Sequence, residues 1–311
     1  MDASYGTGIA GGATNAGLPS AEVEKVKVAV LAAGSYGMAM ATIAARRGHE
    51  VVIYARDAET VNAINTTHRN PKVFSQFELL PEISATTSVE HATRGAKIVL
   101  VCLPAQRTPD FLAMYKDVIP EDALLVVTSK GLYLKTKQLL SVPILAALGS
   151  RDQPLCFLSG PSFALELMDN TPSAVVVAST YLYHAVYVQR ALSTIDFRIY
   201  SSQDIIGVQL GGALKNPLAI GAGMIEGAGF GINTLAAYVT RSSLELQKLC
   251  IAMGGLPITI SGLAGIGDLM LTAFGSLSRN RSCGLRIMNG EKIEDILKET
   301  TVEGVPTAEV A

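Results

Sequence analysis

The chain of 311 residues lacks most of the marks that would send it to another class of protein. Its four cysteines (Cys102, Cys156, Cys250 and Cys283) lie far apart, with no Cys-x-x-Cys pair. That spacing suits reduced thiols in an intracellular protein and offers neither a disulfide framework nor a metal site. No basic run occurs and the net charge is -2, so nothing suggests nucleic-acid binding. No uncharged apolar run reaches the length of a membrane span. Residues 205–231 come nearest, and Lys215 and Glu226 interrupt them. Histidine is scarce too: His49, His68, His91 and His184 all precede residue 200, none in an apolar or glycine-rich setting beside a partner. A histidine–carboxylate proton relay is therefore disfavoured, and lysine becomes the natural base.

What is present is apolar bulk. Apolar residues make up 49% and charged residues 17%, enough for two domains with proper cores. Residues 1–22 are rich in Gly, Ala, Ser and Thr and read as a flexible extension rather than a targeting peptide. Val26–Leu31 reads as a strand, Met38–Arg47 as a helix and Val51–Tyr54 as a second strand, a βαβ unit in about thirty residues. Ile98–Leu103, Leu124–Thr128, Leu155–Leu158 and Ala174–Ala178 read as further buried strands with helices between them. The fold class is α/β: a Rossmann-like, doubly wound parallel sheet over residues 23–200. From Asp204 onward, Ala, Gly and Leu at helical spacing replace the strands, giving an all-helical domain over 201–311. The last residues, Glu303–Ala311, carry no cap or polar tail, and a terminal helix is expected to be missing.

The stretch Gly207–Asn216 strands one lysine, Lys215, among apolar and glycine residues, with Asp204 and Glu226 the nearest formal charges. Such a lysine loses hydration, which lowers its pKa towards that of a base at neutral pH. The alternative is an amine that snorkels out of an apolar helix. Gly262–Leu269 likewise holds a single charge, Asp268, and Ser278-Arg279-Asn280-Arg281 groups anion-binding side chains. A base, an acid and an anion clamp in one domain suit a phosphorylated alcohol or ketone.

The first turn reads Ala32-x-Gly34-x-x-Gly37, between a strand and a helix. Gly34 would admit a pyrophosphate to the backbone and Gly37 would allow close helix–strand packing; a purely structural glycine turn is the alternative. Ala32 stands where the tight-turn glycine is usual. Arg56, rather than an acid, follows the second strand and would meet a 2′-phosphate, which leans the choice towards NADP over NAD. Leu103-Pro104-Ala105-Gln106 and Ser129-Lys130-Gly131 follow strands, where ligands collect, although Lys130 also fits a solvated loop. Ser159–Ala164 turns into a helix whose amides could line a site, or is an ordinary loop.

Taken together, Ala33–Gly37, Ser129–Gly131, Ser159–Ala164, Gly207–Asn216, Gly262–Leu271, Ser278–Arg281 and Val302–Gly304 resemble the NAD(P)-dependent glycerol-3-phosphate dehydrogenase family, from about Val26 to the last residue. The resemblance implies a helical domain like that of 6-phosphogluconate dehydrogenase and interconversion of glycerol 3-phosphate and dihydroxyacetone phosphate. It implies Lys215 as proton acceptor, with Lys130 and Asp268 beside it. Implied cofactor contacts are Gly34, Ser35, Tyr36, Gly37, Arg56, Pro104, Lys130, Ala164, Arg279 and Glu303. Implied substrate contacts are Lys130, Gly160, Ser162, Lys215, Asn216, Asp268, Thr272, Ser278, Arg279 and Asn280, with no metal. A cytoplasmic or organellar-matrix homodimer with NAD or NADP is the expected setting.

The sequence departs from that pattern at Ala32, at Pro217, which should bias Asn216 out of helix and kink the segment carrying Lys215, and at Ser242. Two alternatives follow: a 3-hydroxyacid or ketopantoate-type reductase on the same architecture, and a catalytically weak dinucleotide-binding redox sensor.

Overall fold

The computed structural model describes residues 24–149 and 151–311; the expected extension over 1–22 lies outside them. The first βαβ unit is β1 (Lys27–Leu31), α1 (Ser35–Arg46) and β2 (Glu50–Tyr54), continued by α2 (Ala58–Thr67), β3 (Ile83–Thr86), α3 (Val89–Thr93) and β4 (Ile98–Val101). Next come α4 (Thr108–Tyr115), β5 (Leu124–Val127), the small hairpin β6 (Leu132–Tyr133) and β7 (Gln138–Leu139), and α5 (Ser141–Leu148). The sheet is completed by β8 (Leu155–Ser159), α6 (Ala164–Met168), β9 (Ser173–Ala178), α7 (Leu182–Leu192) and β10 (Phe197–Ser202).

The large sheet has the order β10-β9-β8-β5-β4-β1-β2-β3. Its central strands β1, β4 and β5 are buried on both faces, which is why they read as continuous Val, Leu and Ile runs. The sheet is not wholly parallel, as the alternation of strands and helices predicts. β8 and β9 pair antiparallel, Leu158 opposite Val177, and β10 runs parallel to β9. Between Ser159 and Ser173 the chain has only the five-residue α6, too little helix to lay a crossover along the sheet, so it folds back on itself. The edge strands β3 and β10 alternate buried and exposed positions and escape the run-of-apolars signal. Predicted strand ends overshoot slightly: β4 stops at Val101, not Leu103.

Helices follow: α8 (Ile205–Gly227), α9 (Ile232–Ala252), α10 (Pro257–Ser261), a π turn over Leu263–Gly267, α11 (Asp268–Phe274), α12 (Arg279–Met288), α13 (Ile293–Glu299) and α14 (Gly304–Ala308). Asp204 starts α8 by accepting from the Gly207 amide at 2.8 Å. α8 packs against α9, α11, α12 and α14, and every residue from Gly207 to Asn216 is buried. Pro217 does not end it. Asn216 stays helical and the helix runs on to Gly227, because burial on all sides outweighs the lost donor.

Candidate active site

Ala32, just after β1, adopts φ 109°, a conformation that disfavours alanine. Its carbonyl then comes so close to α1 that a Cβ at Gly37 would overlap it, which makes glycine obligatory there. Gly34 is different: a Cβ there would meet nothing within 4 Å, and no side chain caps α1. The first-turn amides beside Ser35 and Tyr36 thus face open space, an arrangement that fits a pyrophosphate. A groove of about 1170 Å³ runs from this turn past Arg56, Asp57 and Lys72 on one side and Pro104 and Gln106 on the other. It lies beyond the carboxyl ends of the neighbouring strands β1 and β4, from which the chain leaves in opposite directions along the sheet, the switch point at which open α/β sheets bind ligands. Shape, open amides and cationic rim together suit a dinucleotide.

Past the groove, Gly131 packs on Ala105, next to Pro104, and Lys130 points at the helical elements. Lys130 Nζ donates to the Gly160 carbonyl at 2.9 Å and to Asp268 Oδ2 at 2.7 Å. Lys215 Nζ donates to Asp268 Oδ1 and, at 2.8 Å, to Thr272 Oγ1, whose own proton goes to the Asp268 carbonyl at 2.7 Å. Asp268 is fully buried and Lys215 nearly so. Glycines permit this meeting. Gly211 of α8 lies against the backbone of Ala264, and Gly265 against Ile260, so the π turn brings Asp268 up to α8 at backbone-contact distance. Burial pushes the Lys215 amine down to about 8, with the Asp268 carboxylate acting against that and the Lys130 ammonium with it.

The remaining predicted residues divide. Gly160 has φ 144° and its Cα lies against Val175, so only glycine presents this carbonyl to Lys130. Ser162 donates to the same carbonyl at 3.0 Å, which leaves its oxygen to accept from Tyr36 Oη, also at 3.0 Å. Burial pushes the Tyr36 phenol well above its ordinary value. Ala164 begins α6 and packs on the sheet's core.

Ser278 caps α12 by accepting from the Arg281 amide at 3.1 Å. Arg279, the first residue of that helix, is exposed, and among the described residues no side chain bonds to it. Near it, Glu303 is held above the usual carboxylate range by burial, and Arg279 opposes the shift. Asn280 and Asn216 are engaged with each other: Asn280 Nδ2 donates to Asn216 Oδ1 at 2.9 Å, and Asn280 Oδ1 accepts from the Gly304 amide at 2.8 Å. They tie α8, α12 and α14 together and keep only part of their hydrogen-bonding capacity. Arg281 does not join the anion clamp that its place in the tetrapeptide suggests; it pairs with Glu226 on α8 at 2.5 Å.

A family model described as the NAD-dependent glycerol-3-phosphate dehydrogenase N-terminus matches residues 27–185, and one described as its C-terminus matches residues 204–311. The chain belongs to the NAD-dependent glycerol-3-phosphate dehydrogenase family. It is 44% identical over 286 residues to glycerol-3-phosphate dehydrogenase (NAD(+)) 2, chloroplastic, of Arabidopsis thaliana, covering 91% of this chain and 68% of that protein. It is 40% identical over 289 residues to glycerol-3-phosphate dehydrogenase (NAD(P)+) of Geobacter sulfurreducens, covering 92% and 86%. Glycerol-3-phosphate dehydrogenase of Coxiella burnetii has the same fold, with a TM-score of 0.86 at 30% identity over 92% of this chain and 88% of that one.

Within this dehydrogenase-family chain, the groove residues that the sequence does not single out include Asp57, Asn70 and Lys72. Asp57 carried a signal, the Asp-x-x-Thr spacing of an N-cap ahead of α2. It also corrects the reading that no acid stands after β2, since it directly follows Arg56.

Proposed function

We propose that this chain interconverts sn-glycerol 3-phosphate and dihydroxyacetone phosphate, using NAD or NADP. The observation that carries the reading is the Lys130–Asp268–Lys215 cluster, joined to the α1 turn beside the groove through the Gly160 carbonyl, Ser162 and Tyr36. The nicotinamide, when bound, accepts the hydride of the carbinol carbon or returns it. The other steps belong to the protein. Two donors of Lys215 are committed to Asp268 and Thr272, so its third position, a lone pair in the neutral amine, is left for the substrate. There it takes the hydroxyl proton during oxidation and gives it back during reduction. Lys130 steadies the same oxygen by charge.

Arg279 and the open first turn of α12 take the phosphate dianion, an arginine fork being suited to it. Ser278 fixes that turn, and Asn216 and Asn280 set its distance from Lys215. The groove and the α1 turn hold the dinucleotide through Gly34, Ser35, Tyr36, Gly37, Arg56 and Pro104, with Ala164 and Glu303 at the nicotinamide end. A division into a dinucleotide domain over 23–200 and a substrate domain over 201–311 is supported by the change from strand to helix between Ser202 and Ile205. The reading extends to a homodimer in the cytoplasm or an organellar matrix. A chloroplastic relative supports the second setting, and no helix among the described residues is long and apolar enough to cross a membrane.

The test is steady-state reduction of dihydroxyacetone phosphate with NADH and NADPH in parallel. Turnover with at least one is expected. Tight dinucleotide binding without turnover of any polyol phosphate would replace the proposal with a redox sensor.

A further inference from the structure

The outer end of the groove carries a charge arrangement with a consequence for cofactor choice. Arg56, Asp57 and Lys72 line it together. Asp57 stands three residues after β2, close to where a dinucleotide fold places the acid that meets the ribose hydroxyls. One oxygen of its carboxylate, Oδ2, is already committed. It caps α2, accepting from Thr60 N at 3.1 Å and Thr60 Oγ1 at 2.5 Å, and it receives Lys72 Nζ at 2.7 Å.

Lys72 is aimed there by the backbone. Asn70 is buried, and its Nδ2 donates to the Ala33 carbonyl at 3.1 Å. Its Oδ1 accepts from the amides of Lys72 at 3.0 Å and Val73 at 3.2 Å. The turn bearing Lys72 is thereby bolted to the phosphate-binding turn after β1. The placement of the Lys72 backbone at the groove is a property of the fold.

We infer that Lys72 is a specificity-determining residue for the dinucleotide. With Arg56 it takes the adenosine 2′-phosphate of NADPH, and by pairing with Asp57 Oδ2 it neutralises the carboxylate that would otherwise repel that phosphate and favour the 2′-hydroxyl of NADH. Both effects favour the phosphorylated cofactor. Two cations against one carboxylate leave a net positive charge beside the 2′-phosphate. Removing Lys72 would cancel it and leave Asp57 with its full negative charge beside the ribose. The inference rests on the dinucleotide reading given above and names the residue that sets its choice of cofactor.

Isothermal titration of NADPH and NADH separately, in the absence of substrate, tests it. In Lys72→Met the NADPH-to-NADH affinity ratio is expected to fall about ten-fold or more, a decade being worth 1.4 kcal/mol. In Lys72→Arg, which keeps the charge, the ratio should stay within about three-fold of wild type on that scale. The wild-type salt dependence should be steeper for NADPH than for NADH, and Lys72→Met should narrow the difference. Lys72 is 59% exposed, so the variants keep the fold. An unchanged ratio in Lys72→Met, or an equal loss for both dinucleotides, overturns the inference. Failure of the wild-type protein to bind either dinucleotide would instead overturn the dinucleotide reading itself.

Discussion

Lys130 and Lys215 share one carboxylate, each taking a different oxygen of Asp268. Two ammonium groups against one buried anion leave the cluster with a surplus positive charge. Lys215, the more deeply buried, is the one that can relieve it by giving up a proton. Since both lysines contact the same acid, it is the difference in burial that marks Lys215 for the proposed role of base.

Replacing Lys215 with Met keeps the apolar stem and deletes the amine. A positioned acid–base group contributes about 10²–10⁴-fold, so kcat is expected to fall by that much while dinucleotide affinity holds. A variant retaining more than about a tenth of wild-type kcat would transfer the role to Lys130.

The pH profile follows from the same amine. Oxidation requires neutral Lys215, so kcat/KM for glycerol 3-phosphate should rise through pH about 8, while reduction, which needs the ammonium, should fall over the same range. Asp268 favours the ammonium, so Asp268→Asn should move the oxidation rise to lower pH. It should also cost about 3 kcal/mol in urea unfolding, as expected when a buried pair loses its anion. A rise that stays in place or moves upward contradicts the assignment.

Arg279→Ala should raise the KM for dihydroxyacetone phosphate steeply, by about 1.5–3 kcal/mol, the usual worth of a charge-assisted bond. An unchanged KM would remove Arg279 from the phosphate site.

Arg56→Asp should move cofactor preference towards NADH by about ten-fold or more. A fixed ratio would make Arg56 an ordinary surface residue.

Ala32→Gly should be stabilising. A non-glycine residue at φ 109° carries strain of roughly 1–3 kcal/mol, and glycine gives back about 0.5–1 through its looser unfolded chain. A net gain of about 1 kcal/mol in unfolding free energy is expected, seen as a higher urea midpoint at unchanged slope. Destabilisation would show that the alanine methyl packs usefully despite its backbone.

The parts of this molecule that were legible in sequence are those set by local contrast. Lys215 and Asp268 stand out because each is the one charge in an apolar, glycine-rich run, and deep burial demands that such charges meet a partner. The central strands stand out because burial on both faces leaves them no polar positions. Features joined across the chain were hidden. Nothing near Lys72 announces Asp57, fifteen residues earlier, because the pair depends on Asn70 gripping the backbone of Ala33. The reversal at β9 depends on the shortness of α6, and a strand's apolar run carries no record of its direction. Arg281 reads as an anion ligand one residue beyond Asn280, yet helix residues two apart point about 200° from each other, and only one of Arg279 and Arg281 can face the cleft.

The glycines of α8 bear on how this chain tolerates change. A methyl at Gly211 would strike the backbone of Ala264, one at Gly223 the backbone of Arg281, one at Gly212 the hydroxyl of Ser159, and one at Gly221 the ring of Tyr238. These contacts point to different neighbours, so the buried stretch Gly207–Asn216 has no face on which a substitution can be absorbed by tilting or sliding. In a saturation mutagenesis screen Gly207–Asn216 should appear as a continuous intolerant band, without the three-to-four-residue rhythm that amphipathic helices leave in such data, and tolerance should return at the exposed Met224 and Glu226.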